Sequence, residues 1–291
     1  MQIGLEINLG TIGPEPVRDC AEQVGSMVEE FGFDSIWVPE HVVTFSEYDA
    51  ACPYPYTDTG RPPAHFSAEG ILEPMVALAA FAMTTERVTL GTGVAILPQR
   101  NPVYFAKMAT TVDLLSAGRF VAGLGLGWSK QEYDALGESF EERGARMNDY
   151  VQVVRSLWDD ATPSFEGAHY RLPPCVQQPQ PSRRIPLFFG GESPAVLNRV
   201  ARFGDGWFGF RLTPASLIPR LERLERALTA HARSRDELTI LVSPGEWGCG
   251  AEDLAKYRDL GVDQVVFVVT ATDLTSCRAQ LEQLARLAIH A

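Results

Sequence analysis

Basic side chains are scarce in this chain: 25 Lys and Arg stand against 37 Asp and Glu, giving a formal net charge of −12 and a pI near 4.9. Such a surface repels phosphate backbones and anionic lipid, and no local Lys/Arg run reverses the sign, so neither nucleic acid nor a membrane surface is an expected partner. Cysteine is also sparse. Cys20, Cys52, Cys175, Cys249 and Cys277 are odd in number and form no CxxC pair, which indicates neither a disulfide framework nor a zinc site. Each reads as a small buried hydrophobe, and no metal site is expected. Long hydrophobic runs are missing: nowhere do about 18 apolar residues follow one another, the length that spans a bilayer. The start, "MQIGLEINLG", enters strand-like alternation at once, without the basic and apolar regions of a signal peptide. The expectation is a cytoplasmic protein.

What is present is a repeating pattern. With 291 residues and 45% apolar content the chain can bury a large core, as one barrel or as two smaller domains. Strand-like runs recur at "QIGLEIN" (2–8), "DSIWVPE" (34–40), "RVTLGTGVAIL" (87–97), "GRFVAGLG" (118–125), "IPLFFGG" (185–191), "DGWFGF" (205–210), "ELTILVS" (237–243) and "QVVFVVT" (264–270). Several are apolar on both faces, as strands covered on both sides are. Amphipathic spacing fills the intervals, as at Val17, Ala21, Val24, Met27 and Val28. Helix punctuation agrees. Asn101 and Ser193 precede Pro102 and Pro194 as N-caps, with Gly118 and Gly204 past the far ends. About eight βα units in one chain of this length predict a single α/β domain over 1–291, a (β/α)₈ barrel, with a doubly wound sheet as the competing topology.

Two stretches break the rhythm. Residues 42–70 follow the second strand and are rich in Pro, Tyr, Asp and Ser; on a barrel they would lie over the C-terminal face, as a lid or a merely mobile loop. Residues 162–184 read as a short hairpin around Glu166–Gly167 followed by a proline-rich run, placed at the border of the same mouth.

"GRFVAGLGLGW" (118–128) suggests a dinucleotide fingerprint, but the spacing of Gly123, Gly125 and Gly127 is wrong for GxGxxG and no helix opens directly behind them. At the end of a barrel strand such glycines instead allow a ligand, or another part of the barrel, to approach the backbone.

The stretch "LGTGVAILPQRNPVYFAKMATTVDLLSAGRFVAGLGLGWSKQEYDALG" (90–137), together with "FGFDSIWVPEH" (31–41) and "RRIPLFFGGESPAVLNRVARFGDGW" (183–207), closely resembles the luciferase-like monooxygenase superfamily, in its branch of coenzyme F420-dependent oxidoreductases. The resemblance implies a TIM-type barrel and a flavin or deazaflavin cofactor: F420 as first choice, FMN as the alternative with reduced flavin and oxygen. It implies that His41 lies near the reactive face of the ring. Gly93–Val94 matches a non-prolyl cis peptide behind the ring, Gly125, Gly127 and Trp128 match a loop lining it, and Gly191, Glu192 and Ser193 match a turn that meets the phosphate. Ser193 also opens a helix whose free N–H groups and dipole suit a phosphate; Glu192 reads equally as a solvated loop carboxylate. Dimers are common in this family, which leaves a homodimer open.

In this setting His41 is suited to exchange the proton that accompanies a hydride, while Glu40 could orient its ring or face the barrel interior. Phe45, Tyr54, Tyr56 and Phe66 are expected either to cover a small organic substrate or to pack the loop onto the barrel. Arg100, Lys130, Arg183 and Arg184 are candidates for the carboxylates of a deazaflavin tail. Two departures narrow the substrate. The sugar-phosphate dehydrogenases of the deazaflavin group carry a glutamate where Trp128 stands and a tryptophan where Phe45 stands, and bacterial luciferase carries an arginine at the position of Leu126. Two other readings of the same barrel are a glycoside hydrolase using Glu40 and Glu192, and a flavin-binding barrel without catalysis.

Overall fold

The computed structural model describes residues 1–50, 53–55, 57, 59–62, 70–245 and 249–289. Its strands are β1 (Gln2–Glu6), β2 (Ser35–Val38), β3 (Thr89–Thr92), β4 (Ala95–Ile96), β5 (Phe120–Gly125), β6 (Phe165–Glu166), β7 (Arg171–Leu172), β8 (Leu187–Gly190), β9 (Gly206–Phe210), β10 (Thr239–Gly245) and β11 (Gln264–Val268). Its helices are α1 (Val17–Glu30), α2 (Pro74–Thr84), α3 (Pro102–Leu115), α4 (Lys130–Leu136), α5 (Arg143–Asp159), α6 (Pro194–Phe203), α7 (Pro214–Ala230), α8 (Ala251–Asp259) and α9 (Leu274–Ile289). Parallel pairing runs β3-β2-β1-β11-β10-β9-β8-β5, and β3 pairs with β5 to close the ring. The architecture is therefore an eight-stranded α/β barrel, with each strand run read from the sequence supplying one stave. The short β4 continues β3 beyond a kink and pairs with β5 at Ala95↔Leu124 and Ile96↔Gly125.

Side chains alternate between two cores, because successive strand residues point to opposite faces. Leu5, Ile36, Leu90, Ala122, Leu187, Trp207, Ile240 and Val265 face the helices. Inside the ring Trp37, Val121, Phe188, Phe208, Leu241 and Val266 fill the barrel below its mouth. Three aromatics in one ring need space, and glycines provide it: a Cβ on Gly206 would lie 2.6 Å from the Phe188 ring, and one on Gly91 would collide with Trp37. Trp37 stacks on Phe188 at 6.0 Å between centroids and meets Phe208 edge-on at 5.3 Å. Its buried indole N–H donates to Ser35 Oγ at 2.7 Å, so this large interior side chain leaves no polar atom stranded.

The helices begin where local chemistry fixes them. Asn101 Oδ1 accepts from the amides of Val103 and Tyr104 at the start of α3, and Ser193 Oγ accepts from Val196 at the start of α6. The hairpin forms as expected, with Phe165 opposite Leu172, but it does not border the mouth. It belongs to the connection from α5 back to β8, which returns the chain to the N-terminal end of the barrel. Along that connection Lys107 donates to the carbonyl of Gln178, and Ser182 is held by Asp113. Cys20, Cys175, Cys249 and Cys277 are free thiols. Among the described residues no helix is long and apolar enough to cross a membrane, and no group of acidic, His and Cys side chains could hold a metal ion.

Candidate active site at the barrel mouth

A cavity of about 890 Å³ opens at the C-terminal ends of the strands, where barrel sites are built. His41, Gly93, Val94, Gly125, Gly127, Trp128, Gly191, Glu192 and Ser193 all line it, so residues from four separate stretches of sequence converge on one hollow.

Its floor is a shelf. The Gly93–Val94 peptide is cis, and Gly93 N–H remains tied to the Val38 carbonyl at 2.8 Å. Val94 then lies between two glycines: a Cβ on Gly125 would sit 2.5 Å from Val94 Cγ2, and one on Gly190 would sit 2.9 Å from Val94 Cγ1. The missing side chain of Gly125 therefore makes room for Val94, and Val94 is what faces the cavity. At Gly125 the close approach is that of another part of the barrel, one of the two readings of the glycine run, while Gly125 and Gly127 also line the cavity. Gly127 has a different reason for lacking a side chain, a left-handed φ of 65° with Ile96 close behind it.

One wall carries the titratable groups. His41 Nδ1 lies 3.1 Å from Glu132 Oε2, and Glu132 Oε1 accepts from the Val42 amide at 2.6 Å. Glu132 is only 1% exposed. It therefore fixes both the ring and the backbone on either side of it. Sequence reasoning missed Glu132. Ser129 caps α4 by accepting from the Glu132 amide, and S-x-x-E is the spacing of a local capping box. The glutamate instead reaches across to the loop after β2.

Glu40 occupies a different position from the one expected of a ring-orienting acid. One carboxylate oxygen accepts from the Ile96 amide at 2.5 Å, and the other is gripped by the Arg100 guanidinium, which also reaches Glu73 at 2.7 Å. Burial pushes the Glu40 carboxyl up, while Arg100 and the Ile96 amide pull against that rise. Glu40 thus braces β4 and the shelf, and Arg100 is committed to it rather than to a ligand. Lys130 pairs with Asp134 within α4. Arg183 binds the carbonyls of Gly118 and Phe120, and Arg184 binds Asp205, all at the N-terminal ends of strands. Those two arginines lie at the opposite end of the barrel from the cavity and cannot meet a tail there. The cations that do line the mouth are Arg143, at the start of α5, and Arg211, after β9. Neither carried a signal in the sequence beyond its charge.

Aromatic rings form the remaining wall. Trp128 meets Tyr54 at 4.9 Å, Tyr48 at 5.0 Å and His41 at 6.2 Å. Tyr54 lines the cavity; Phe45 does not, and its ring instead meets Tyr48 edge-on at 5.7 Å. Tyr56 and Phe66 lie outside the described residues, as does Cys52. The first part of the long loop is docked: Gln131 accepts from the Asp49 amide at 2.8 Å and donates to the Glu47 carbonyl at 3.1 Å.

Across the mouth, α6 points its N-terminus at the cavity, and Ser193 is exposed there beside Gly191, whose φ of 112° turns the chain. Glu192 is not a solvated loop carboxylate. It accepts from the Phe210 amide at 2.9 Å, and burial pushes its carboxyl up, against the pull of that amide and of Arg220. With Glu40 and Glu192 each engaged by a backbone amide and set in a separate wall, they do not present the paired acids of a glycoside hydrolase.

The cavity thus brings together the Val94 shelf, the N-terminus of α6, the His41–Glu132 pair and the side chains of Arg143 and Arg211. Sequence comparison gives the family. The family profile of luciferase-like monooxygenases matches residues 6–245, and the chain belongs to that family. An uncharacterised protein of Mycobacterium tuberculosis (strain ATCC 25618 / H37Rv) is 29% identical over 263 residues, 89% of this chain and 90% of that one. The F420-dependent glucose-6-phosphate dehydrogenase of Kineococcus radiotolerans is 28% identical over 247 residues, 82% of this chain and 65% of that one. Among solved structures, the monooxygenase RslO1 of Streptomyces bottropensis superimposes with a TM-score of 0.75 at 20% identity, covering 99% of each chain.

Proposed function

We propose that this chain is an F420-dependent oxidoreductase that works in the cytoplasm, moving a hydride between the deazaflavin and a small organic substrate while His41 exchanges the accompanying proton. The observation that carries the reading is the His41–Glu132 pair set beside the Val94 shelf. Bound F420 supplies the hydride from its deazaflavin ring. Gly93 and Val94 would support that ring, with Gly125, Gly127 and Trp128 around it. Ser193 and the first turn of α6 would meet the phosphate, and Arg143 and Arg211 would face the carboxylates of the tail.

His41 follows from its partner. The Glu132 carboxylate accepts from Nδ1–H, so the neutral imidazole carries its lone pair on Nε2, the nitrogen that takes or returns a proton. Trp128, with Tyr54 and Tyr48 packed on it, shields this side from water. It also leaves no carboxylate where the sugar-phosphate dehydrogenases use one, which argues against a sugar phosphate as substrate.

Fluorescence titration with F420, FMN and FAD tests the reading. The expected result is tight F420 binding with FMN at least tenfold weaker. Submicromolar FMN binding with negligible F420 affinity would replace it with the FMN-dependent monooxygenase, which would use the same shelf. A His41→Ala variant that binds cofactor normally and keeps full turnover would remove the proton role.

A further inference from the structure

Two neighbouring residues of α4 hold the chain after β2 at two separate points, and both hold it by its backbone. Glu132 accepts from the Val42 amide. Gln131 reaches further along: its Oε1 accepts from the Asp49 amide at 2.8 Å, and its Nε2 donates to the Glu47 carbonyl at 3.1 Å. A carboxamide has one acceptor side and one donor side, and this contact uses both. The residue bracketed by the two bonds is Tyr48. Its ring meets Trp128 at 5.0 Å between centroids with the planes 41° apart, and its hydroxyl accepts from the Phe45 amide at 3.1 Å. Trp128 in turn lines the cavity. One short stretch, 128–132, therefore carries the indole, the clamp on the chain that packs against it, and the partner of His41.

We propose that Gln131 is a positioning residue of the candidate site: by fixing residues 47–49 it seats Tyr48 on Trp128, and so sets where the indole stands against the cavity. The inference goes beyond the function proposed above and holds whichever cofactor the cavity takes. Three observations separate this role from an ordinary surface contact. Both bonds go to the backbone, so they fix the path of the chain, while the side chains of Glu47 and Asp49 stand exposed. The residue between them is the one whose ring reaches Trp128. The Val42 anchor cannot replace them, because the six residues from Val42 to Tyr48 can span about 20 Å and leave the ring free to lie elsewhere. Two net hydrogen bonds shift the balance between docked and released chain by roughly tenfold or more.

The test uses protein labelled with 5-fluorotryptophan, in which ¹⁹F NMR reports on Trp128 and a Trp128→Phe variant assigns its signal, beside hydrogen exchange at single amides. Gln131→Met keeps the length of the side chain and removes both bonds. The expected result is exchange at the Asp49 amide at least about tenfold faster, with the Val42 amide unchanged and the Trp128 signal shifted toward that of a solvated indole. The melting temperature should stay within about 2 °C, since the substitution is on the surface. Tyr48→Ala should shift the same signal, and adding Gln131→Met to it should shift it no further, because the effect passes through that ring. Unchanged exchange at Asp49 in Gln131→Met overturns the proposal by removing the clamp. Faster exchange there with an unmoved Trp128 signal overturns it as well, since the chain is then released and the indole does not follow. A full additional shift in the double variant rules out the route through Tyr48, and loss of protection at Val42 would show a general loosening of the loop instead of a local clamp; either overturns it.

Discussion

Replacing Gly125 by alanine adds one methyl group at the point where the shelf is tightest. The new Cβ would stand 2.5 Å from Val94 Cγ2, well inside van der Waals contact, while Val94 Cγ1 is close to the Gly190 position on its other side. Val94 is β-branched and cannot slip past both strands by a change of rotamer alone. Its open direction is the cavity. Overpacking of this kind costs about 1–2 kcal/mol, which lowers the melting temperature by roughly 2–6 °C in a chain of this size. Cofactor affinity should fall by about tenfold or more, because Val94 is pushed to where a ring would rest. The assay is thermal unfolding by circular dichroism beside cofactor titration, on Gly125→Ala, Val94→Ala and the double variant. Val94→Ala should restore most of the lost affinity in the Gly125→Ala background, with a coupling of about 1 kcal/mol in the cycle. Wild-type stability and affinity in Gly125→Ala, or additive effects in the double variant, would refute the account of why a glycine stands there.

Three further outcomes follow from the walls of the cavity. Glu132→Ala should release the His41 tautomer, read by long-range ¹H–¹⁵N spectra in which wild-type His41 carries its proton on Nδ1 when neutral; a neutral Nε2–H form in the wild-type protein would contradict the pair. Arg100→Ala should destabilise by about 3–5 kcal/mol, since it leaves the Glu40 carboxyl buried without its cation; the deficit should shrink as pH falls and Glu40 takes a proton, and a pH-independent deficit would show that the loss is one of packing. Glu192→Gln should be as stable as the wild type at low pH and more stable at neutral pH. Below the unfolded carboxyl value both states hold the proton and its burial costs nothing; stability falls as pH rises above that value, because the unfolded chain ionises first, and the loss is complete once pH has passed the raised folded value. The same variant should bind F420 or FMN more tightly, and equal affinity would place Glu192 away from the phosphate.

The staves of the barrel are legible in the sequence because several are apolar runs covered on both faces and all recur with helical spacing between them, and two of those helices carry their caps in plain view at Asn101 and Ser193. The convergence of His41, Val94, Trp128 and Ser193 was reachable only through resemblance, since nothing in local pattern says that the ends of different strands meet. Glu132 stayed hidden for a physical reason: its spacing from Ser129 satisfies a local rule, and only the folded chain shows the side chain serving a residue 91 positions away. Arg183 and Arg184 misled for the opposite reason. They adjoin a strand that contributes to the site, but they precede it, and in a parallel barrel the start and end of a strand lie at opposite faces. Gly125 announced a close approach without saying of what; the neighbour is Val94, from the kink between β3 and β4.

The central claim is hydride transfer from a deazaflavin, and anaerobic turnover tests it most directly. Purified protein is mixed with reduced F420 and cyclohex-2-enone in the absence of oxygen, and reappearance of the oxidised deazaflavin absorbance is followed against a control without the ketone. The expected result is enone-dependent oxidation of F420 that needs no oxygen and is lost in His41→Ala. Absence of that oxidation, together with enone-dependent oxygen consumption when reduced FMN is supplied in air, would contradict it.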